Sequence, residues 1–464
     1  MDTTIIEDGN LPRADDDLLK LDAPYLRTEI PGPNARRLVE EDHEYVSHSY
    51  IKEYPLAVAR GRGAVIEDVD GNRFLDLMGG VGVATLGHSP PEVVSAIKAQ
   101  ADRFLHICGT DFYYSSMANL AKTLAELAPG PGKKKVYFGN SGAEVVEAAI
   151  KLARYRTRRP HLLAFNGAFH GRTYGALSLT GSKVGQRRGF APFLPAVHHV
   201  PYAYCYRCPY GKEHPSCDVY CADVIEKRLL STMVPPDEIA GIFVEPIQGE
   251  GGYIVPPQGF HEKLRDMATR HGIMLVADEV QSGMGRTGKM FAIEHYGVAP
   301  DMIVTAKGLS SGMPLGALIA RDDVMTWTRG SHGSTYGGNP VSCESALATI
   351  RGLQQGVMEH GREVGKRLEQ HLLALKEKHP LIGDVRGKGL MLGIELVRDQ
   401  QTRESADDEC DQVIQMAFTK GVLLLPCGES VIRLSPPLVI TAEQIDRAME
   451  ILDEVLTAVE KTMG

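Results

Sequence analysis

Short, almost wholly apolar runs alternate with helical stretches from about residue 115 onward in this 464-residue chain. Strands that are covered on both faces are apolar throughout, whereas strands with one wet face alternate apolar and polar residues. The repetition of strand, helix and strand therefore predicts an α/β domain with a mostly parallel sheet, whose ligand should lie beyond the carboxyl ends of the strands. The runs are KVYF, HLLAF, GIFVEP, IMLVADEV, MIVTAK and GALIA.

The segments on either side of these repeats predict additional domain structure. The length of the chain also indicates more than one domain. Residues 1–75 hold an acidic arm, with one helix, and then alternating apolar residues around Asp70-Gly71, which is typical of a β-hairpin. Residues 76–345 form the large domain. Residues 346–464 contain a long helical stretch and then GLMLGIELV, GVLLLP and VIRLSPP, which predict a smaller α+β domain that the first segment helps to build.

Charge and hydropathy exclude some partners. The net charge of −9 argues against a broad surface for nucleic acid. No apolar run approaches the roughly 20 residues that a membrane helix needs. The first residues are acidic and show no apolar signal core, so we expect a cytoplasmic location.

Three charged residues follow three of the apolar runs directly. Glu245 comes after GIFV, Asp278 after IMLVA and Lys307 after MIVTA. Any one of them could pair with a helix end for structural reasons alone. Because buried charges are costly unless they are paired, three at the same level of a sheet should face one cleft.

A lysine and an acid on neighbouring strands suit pyridoxal 5′-phosphate (PLP). This cofactor needs an amine for its aldehyde and a carboxylate that keeps the pyridine nitrogen protonated. It also needs donors for its phosphate, which Ser141, Gly142 and Ala143 could supply at the start of a helix. The alternative for Ser141 is an ordinary helix cap.

Six ordered motifs make the chain resemble the class III (subgroup II) PLP-dependent aminotransferases, which include 4-aminobutyrate and ornithine aminotransferases. The resemblance extends over nearly the whole chain from about residue 50 and implies fold type I, with a seven-stranded, mostly parallel sheet in the large domain. The segment 202–221 resembles an archaeal-type branch that also contains amino-acid racemases. The motifs are NSGAE, FHGRT, EPIQGEGG, ADEVQSGMGRTG, AKGLSSGMPLGA and STYGGNP.

The resemblance implies roles around the cofactor ring. Lys307 carries the cofactor as a Schiff base and moves the proton, and Asp278 pairs with the pyridine nitrogen. Gln281 reaches the ring hydroxyl, while Val280 and Phe169 pack on the two faces of the ring.

It also implies a cofactor site that two subunits share. Ser141, Gly142 and Ala143 hold the phosphate, and Thr335 reaches the phosphate of the neighbouring subunit, which predicts a homodimer or a higher oligomer. His170 either tunes the cofactor or is a packed, hydrogen-bonded histidine.

Two arginines match the family's carboxylate-binding positions, and guanidinium binds carboxylates through two parallel hydrogen bonds. Arg433 matches the α-carboxylate arginine, and Arg172 matches the distal-carboxylate arginine of the 4-aminobutyrate enzymes. Glu245 is interpreted as the switch glutamate that neutralises Arg433 when an ω-amine is bound. Glu250 could hold a neighbouring loop. For either arginine the alternative is a structural salt bridge.

The remaining substrate contacts are predicted from the segment CGTDFYY and from GGVGV. Thr110 and Asp111 could receive the distal ammonium of ornithine or lysine across the dimer. Asp111 could instead cap the following helix. Val81 should form a small apolar wall of the pocket.

The predicted activity is transfer of an ω-amino group from an ornithine, lysine or 4-aminobutyrate type of donor to 2-oxoglutarate. The first alternative is a racemase or epimerase, which needs a second acid–base opposite Lys307. The second is a non-catalytic PLP-binding protein, which the intact Lys307, Asp278 and Gln281 disfavour.

Four cysteines are clustered, and no metal is expected in catalysis. Cys205, Cys208, Cys217 and Cys221 could bind structural zinc, form disulfides or pack as free thiols. Free thiols are favoured, since the second spacing is short for zinc and a reducing compartment opposes disulfides.

Overall fold

The apolar runs form the strands of a seven-stranded sheet in the computed structural model, which describes residues 23–463. Strands are numbered here in chain order over those residues. They are β1 (Val58–Arg62), β2 (Val65–Asp68), β3 (Arg73–Asp76), β4 (Lys134–Gly139), β5 (His161–Phe165), β6 (Val197–Val200), β7 (Ile239–Val244), β8 (Met274–Asp278), β9 (Met302–Thr305), β10 (Gly316–Arg321), β11 (Ile382–Lys388), β12 (Met391–Leu396), β13 (Val422–Leu423), β14 (Leu425–Cys427) and β15 (Val431–Leu434).

The large sheet has the order β4-β10-β9-β8-β7-β5-β6. Neighbouring strands from β9 to β6 are parallel, and β10 runs antiparallel to both β9 and β4. The sequence therefore predicted the α/β class and the mostly parallel sheet correctly. It did not predict β6 or β11, which are short or carry polar residues.

The helices cover both faces of this sheet and fill the chain between the strands. Besides short 3₁₀ and π turns, the described residues form α1 (Pro33–Tyr45), α2 (Gly79–Gly82), α3 (Pro91–Ala101), α4 (Ser115–Leu127), α5 (Gly142–Thr157), α6 (Tyr174–Leu179), α7 (Val184–Arg187), α8 (Tyr220–Val224), α9 (Phe260–His271), α10 (Pro340–Gly352), α11 (Met358–Lys378), α12 (Asp407–Thr419) and α13 (Ala442–Met463).

Burial on both faces explains why the runs are apolar throughout. Val145 and Ile150 of α5 pack with Leu162 on one face of the sheet. Leu163, the next residue of β5, belongs to the larger apolar cluster on the other face, which includes residues of α4, α9 and α10. Successive side chains of a strand point to opposite faces, so neither position tolerates a polar residue.

Two four-stranded sheets flank the large one. The first has the order β1-β2-β3-β13, and β13 lies parallel to β3. Its β2–β3 hairpin turns at Asp70-Gly71 as predicted, and Gly71 has a φ of +80°. The second sheet, β11-β12-β15-β14, is antiparallel throughout. The domain boundaries drawn from the sequence stay a prediction.

The acidic residues at the start of the chain lie outside the described residues, and the helix expected in the arm is α1. None of the helices between residues 23 and 463 has both the length and the apolar character that a membrane span requires.

A buried histidine fastens α13 to the end of α11. The His379 side chain is only 2% exposed, and its Nε2 lies 2.6 Å from Asp453 Oδ1. Its Nδ1 lies 2.8 Å from Glu460 Oε2. The other oxygen of Glu460 accepts the N–H of Leu381 at 3.1 Å, so one imidazole organises the junction of two helices and a strand.

We expect His379→Ala to destabilise the protein by about 2 kcal/mol or more, because it leaves two carboxylates at the helix junction without their shared partner. The matched control is His371→Ala, whose imidazole pairs with Asp446 at the surface and should contribute less than about 1 kcal/mol. Denaturant unfolding of both variants measures the difference. Equal losses of unfolding free energy in the two variants would show that the buried His379 contributes no more than the exposed His371.

Candidate active site

The predicted residues meet at the carboxyl edge of the large sheet, around a cavity of about 550 Å³. Five strands contribute to it, since β4, β5, β7, β8 and β9 all end at this edge. The lining includes Ser141, Gly142, Ala143, Phe169, His170, Arg172, Glu245, Asp278, Val280, Gln281 and Lys307. Residues far apart in the sequence are thus brought together in the way that parallel sheets favour.

The first turn of α5 forms one wall. The Ser141 hydroxyl accepts the N–H of Glu144 at 3.2 Å, so Ser141 is the cap of this helix. Its hydrogen stays available, because a hydroxyl accepts and donates at once. The N–H groups of Gly142 and Ala143 lie in the first turn, where a helix offers them no carbonyl. The cap and an anion site can therefore be the same structure.

Asp278 and His170 form a buried pair on the wall opposite. His170 Nδ1 lies 2.6 Å from Asp278 Oδ2, and Asp278 Oδ1 accepts the N–H of Val280 at 3.0 Å. Burial opposes the charged imidazole, but the hydrogen bond and charge of Asp278 and the charge of Glu245 outweigh it and raise the pKa of His170. His170 is thus a hydrogen-bonded partner of Asp278, and it orients the carboxylate toward the cavity.

Lys307 follows β9 with a φ of +43°, a left-handed conformation that is strained for a lysine. Its ammonium makes no hydrogen bond or ion pair with any residue from 23 to 463. Burial, and then the charge of Arg433, lowers the pKa of Lys307 from 10.5 to about 8. An amine with a pKa this low is available as a nucleophile and as a base near neutral pH.

Glu245 is 5% exposed and accepts two backbone hydrogen bonds. Its Oε1 receives the N–H of Phe169 at 3.0 Å, and its Oε2 receives the N–H of Gly249 at 2.8 Å. Burial raises the pKa of Glu245 to about 7. Glu245 therefore ties the loop after β5 to the loop after β7 beneath the cavity.

Arg433, from β15 of the second small sheet, pairs with Glu250 and not with Glu245. The Arg433 Nη1 donates to Glu250 Oε2 at 3.1 Å, and the arginine is 7% exposed. Glu245 does not pair with Arg433 in the structure, where each of its oxygens accepts a backbone N–H. The two glutamates lie in one short motif, and the sequence alone could not show which of them turns toward the arginine.

Five predicted site residues do not line this cavity: Arg433, and also Val81, Thr110, Asp111 and Thr335. Val81 lies in the single turn α2 with a φ of +62°, and its neighbour Val83 reaches the cavity instead. Thr110, Asp111 and Thr335 are exposed at the surface, where the Thr110 hydroxyl donates to the carbonyl of Ser334 at 3.3 Å.

The alternative interpretation of Asp111 as a helix cap was wrong. Helix α4 begins at Ser115 and its cap position is Tyr114, three residues beyond Asp111. Asp111 belongs to a tight turn in which its N–H donates to the carbonyl of Cys108 at 3.1 Å. Its exposed carboxylate is therefore free of a capping role.

Sequence reasoning missed Val83 and Asn140 among the lining residues. Asn140 had a signal, since it opens the motif NSGAE. Its N–H and its Nδ2 both donate to Glu144 Oε2 at 2.8 Å, which fixes the turn that precedes α5. Val83 had none, because its position depends on the left-handed turn at α2.

The four clustered cysteines are free thiols in the structure. They border one small cavity of about 20 Å³, and burial raises the pKa of Cys221 to about 12. Across residues 23–463 no group of three or more candidate ligands is placed so as to hold a metal ion.

Other details of the cavity fit PLP. A Cβ at Gly142 would lie 2.9 Å from Val280 Cγ1, so only glycine leaves this edge of the cavity open. The Oε1 of Gln281 is buried without a partner among the described residues. The amine of Lys307 matches the aldehyde of the cofactor, and the carboxylate of Asp278 matches its ring nitrogen. The N-terminus of α5 matches its phosphate.

The fold is that of the fold type I PLP enzymes. The chain belongs to the class-III aminotransferases, whose family model matches residues 46–456. This family is PLP-dependent, so the chain is a PLP-dependent transaminase.

Similar proteins include two different activities. The chain is 40% identical to a 4-aminobutyrate aminotransferase of Mycobacterium leprae, over 93% of this chain and 97% of the relative. It is 38% identical to an alanine/serine racemase of Pyrococcus horikoshii, over 95% and 94%. Among solved structures, the omega transaminase of Pseudomonas jessenii in complex with PMP superimposes with a TM-score of 0.86 at 28% identity, covering 92% of this chain and 98% of that one.

Glu245→Gln should flatten the pH dependence of stability between about pH 4.5 and 7. The folded protein keeps a proton on Glu245 in this window that the unfolded chain has lost, so the group's stabilising contribution is present at low pH and lost as the pH rises to about 7. Urea midpoints over a pH series measure the slope.

Glu279→Gln is the matched comparison. Burial also raises the pKa of Glu279 to about 7, and its oxygens accept hydrogen bonds from Ser282, Ala292 and Ile293. The Glu279→Gln substitution should therefore also flatten the dependence of stability on pH, in the same direction. An unchanged slope in both variants would contradict the assignment.

Proposed function

We propose that this transaminase moves an ω-amino group from an ornithine, lysine or 4-aminobutyrate type of donor to 2-oxoglutarate. The observation that carries the proposal is the pair formed by Arg433 and Glu250 near Lys307. An ω-amine brings no carboxylate to the reacting end, whereas 2-oxoglutarate brings one. A cation covered by a carboxylate on a flexible side chain suits both substrates in turn.

In this proposal Glu250, and not Glu245, is the residue that leaves Arg433 when an α-carboxylate arrives. Glu245 is held by two backbone amides, and moving it would leave both N–H groups buried without acceptors. Glu250 makes one hydrogen bond to Arg433, whose Nε has no partner among the residues described. A substrate carboxylate can therefore approach the guanidinium at low cost.

The roles of the other residues follow from their places in the cavity. Lys307 holds the cofactor and moves the substrate's proton, which its low pKa favours. Asp278, oriented by His170, would pair with the ring nitrogen, and Ser141 with the first turn of α5 would hold the phosphate. When bound, PLP supplies the electron sink for this chemistry. Val280, Gln281 and Phe169 would contact the ring, and Ala143 and Gly142 complete the phosphate site.

The distal end of the substrate would meet Arg172 and residues of a second copy of the chain. Arg172 lines the cavity, and its guanidinium lies 5.7 Å from the centre of the Phe169 ring. Thr110, Asp111 and Thr335 lie outside the cavity of their own chain. We propose a homodimer in which each copy supplies these residues to the other's cavity.

Exposed apolar side chains around these residues support the homodimer. Leu105 is 65% exposed, Phe112 56%, Tyr113 101% and Tyr336 61%. An apolar patch of this kind marks an interaction surface. Sedimentation of the purified protein would test the association, and a monomer would contradict it. The cytoplasmic location stays a prediction.

A racemase or epimerase is the second candidate, because relatives with those activities are about as similar as the aminotransferases. Such an enzyme returns the proton on the opposite face of the substrate carbon. It needs an acid–base across the cavity from Lys307.

Mixing the PLP-bound protein with one amino donor, and no oxo acid, tests the proposal. We expect the visible band of the cofactor to disappear with an ω-amine and to return with 2-oxoglutarate, because the amino group passes to the cofactor and then to the acceptor. Lys307→Ala should lose the cycle by about 10⁴-fold or more. A band that persists while an α-amino acid loses its optical rotation would establish the racemase instead.

Asp111→Ala tests the distal contact. We expect KM for ornithine and lysine to rise about tenfold, since their second ammonium would lose a charged partner, with little change for 4-aminobutyrate. Thr110→Ala is the milder companion variant. Equal effects on all three donors would remove Asp111 from the substrate site.

A further inference from the structure

Glu250 faces two cations. Its Oε2 accepts from Arg433 Nη1 at 3.1 Å, and its Oε1 lies 3.6 Å from Lys183 Nζ. The Lys183 side chain is 41% exposed and the Glu250 side chain 17%. The carboxylate therefore lies between a buried arginine and a lysine with a long, partly solvated stem.

The backbone of this segment is held in place. The carbonyl of Glu250 accepts the N–H of Gly428 at 2.7 Å, and the carbonyl of Gly252 accepts from Arg386 Nη2 at 2.6 Å. Any movement of Glu250 away from Arg433 must then occur in its side chain. A rotation of that side chain leaves Lys183 as the cation within reach.

A carboxylate that leaves Arg433 needs another partner. Charges with little access to water are costly when they are unpaired. Glu53 is a second acid in this region, since the charges of Lys183 and Arg433 act on its carboxyl. Lys183 is a cation that acts on both carboxyl groups, that of Glu250 and that of Glu53.

We propose that Lys183 is a positioning residue that receives Glu250 when a substrate carboxylate occupies Arg433, and that it thereby sets the affinity for α-carboxylate substrates. The inference rests on the proposed function, in which Glu250 uncovers Arg433. Lys183 lies in a second cavity of about 580 Å³, together with Gly251 and Gly428, and is not among the residues that line the Lys307 cavity. It therefore acts through Glu250 and not by touching the substrate.

Binding of glutarate, an unreactive dicarboxylate, to the PLP-bound protein tests this directly by calorimetry. We expect Lys183→Gln to weaken glutarate binding about three- to fivefold, the range of one partly exposed ion pair, and Lys183→Arg to restore it. Arg188→Gln removes the same charge from an exposed site on the same segment and should change nothing.

The decisive comparison is a double-mutant cycle with Glu250→Gln. Without a carboxylate to displace, Lys183→Gln should have no effect on glutarate binding. The same loss in both backgrounds would mean that Lys183 attracts the ligand by its own charge, and would overturn the proposal. In steady state, Lys183→Gln should raise KM for 2-oxoglutarate and not KM for 4-aminobutyrate.

The cycle also separates the two proposals. If the wild type binds no glutarate, the proposal of a dicarboxylate acceptor is wrong, and the proposed role of Lys183 is wrong as well. If the wild type binds glutarate and the two substitutions are simply additive, the proposed function stands and only the role of Lys183 is lost.

Discussion

The structure depends on holding charge at one edge of a buried, mostly parallel sheet. The carboxyl ends of β7, β8 and β9 lead to Glu245, Asp278 and Lys307, and each of these ionisable groups is held in a different way. Glu245 has two backbone amides and Asp278 has His170, whereas the ammonium of Lys307 makes no hydrogen bond or ion pair within residues 23–463 and has a lowered pKa. In the proposed function this amine is the reactive group, since Glu245 and Asp278 already have hydrogen-bond donors.

The second requirement is that a cation from another sheet reaches this edge. Arg433 lies on β15, and its guanidinium meets Glu250 in the loop after β7. Through the Glu250 carboxylate, this contact connects the second small sheet to the carboxyl edge of the large sheet. In the proposed function, substrate specificity depends on how easily this carboxylate leaves Arg433, and so on groups such as Lys183 that lie outside the reaction cavity.

The motifs predicted most of the lining residues, because short motifs after strands keep their positions relative to the sheet. The prediction failed where a side chain had to choose between partners. Glu245 and Glu250 are five residues apart, and only the packed loops show that Glu245 faces amides and Glu250 faces Arg433. Likewise Asp111 looked like a helix cap, but α4 begins later, at Ser115.

The sequence by itself determined the fold class, since continuous apolar runs require a sheet covered on both faces. The resemblance of its ordered motifs to the class III aminotransferases indicated the family and the cofactor. Tertiary structure alone decided which carboxylate covers Arg433, that Ser141 both caps α5 and faces the cavity, and that Thr110, Asp111 and Thr335 lie away from it. Those outcomes depend on contacts between distant segments, and local sequence pattern contains no information on the distances between them.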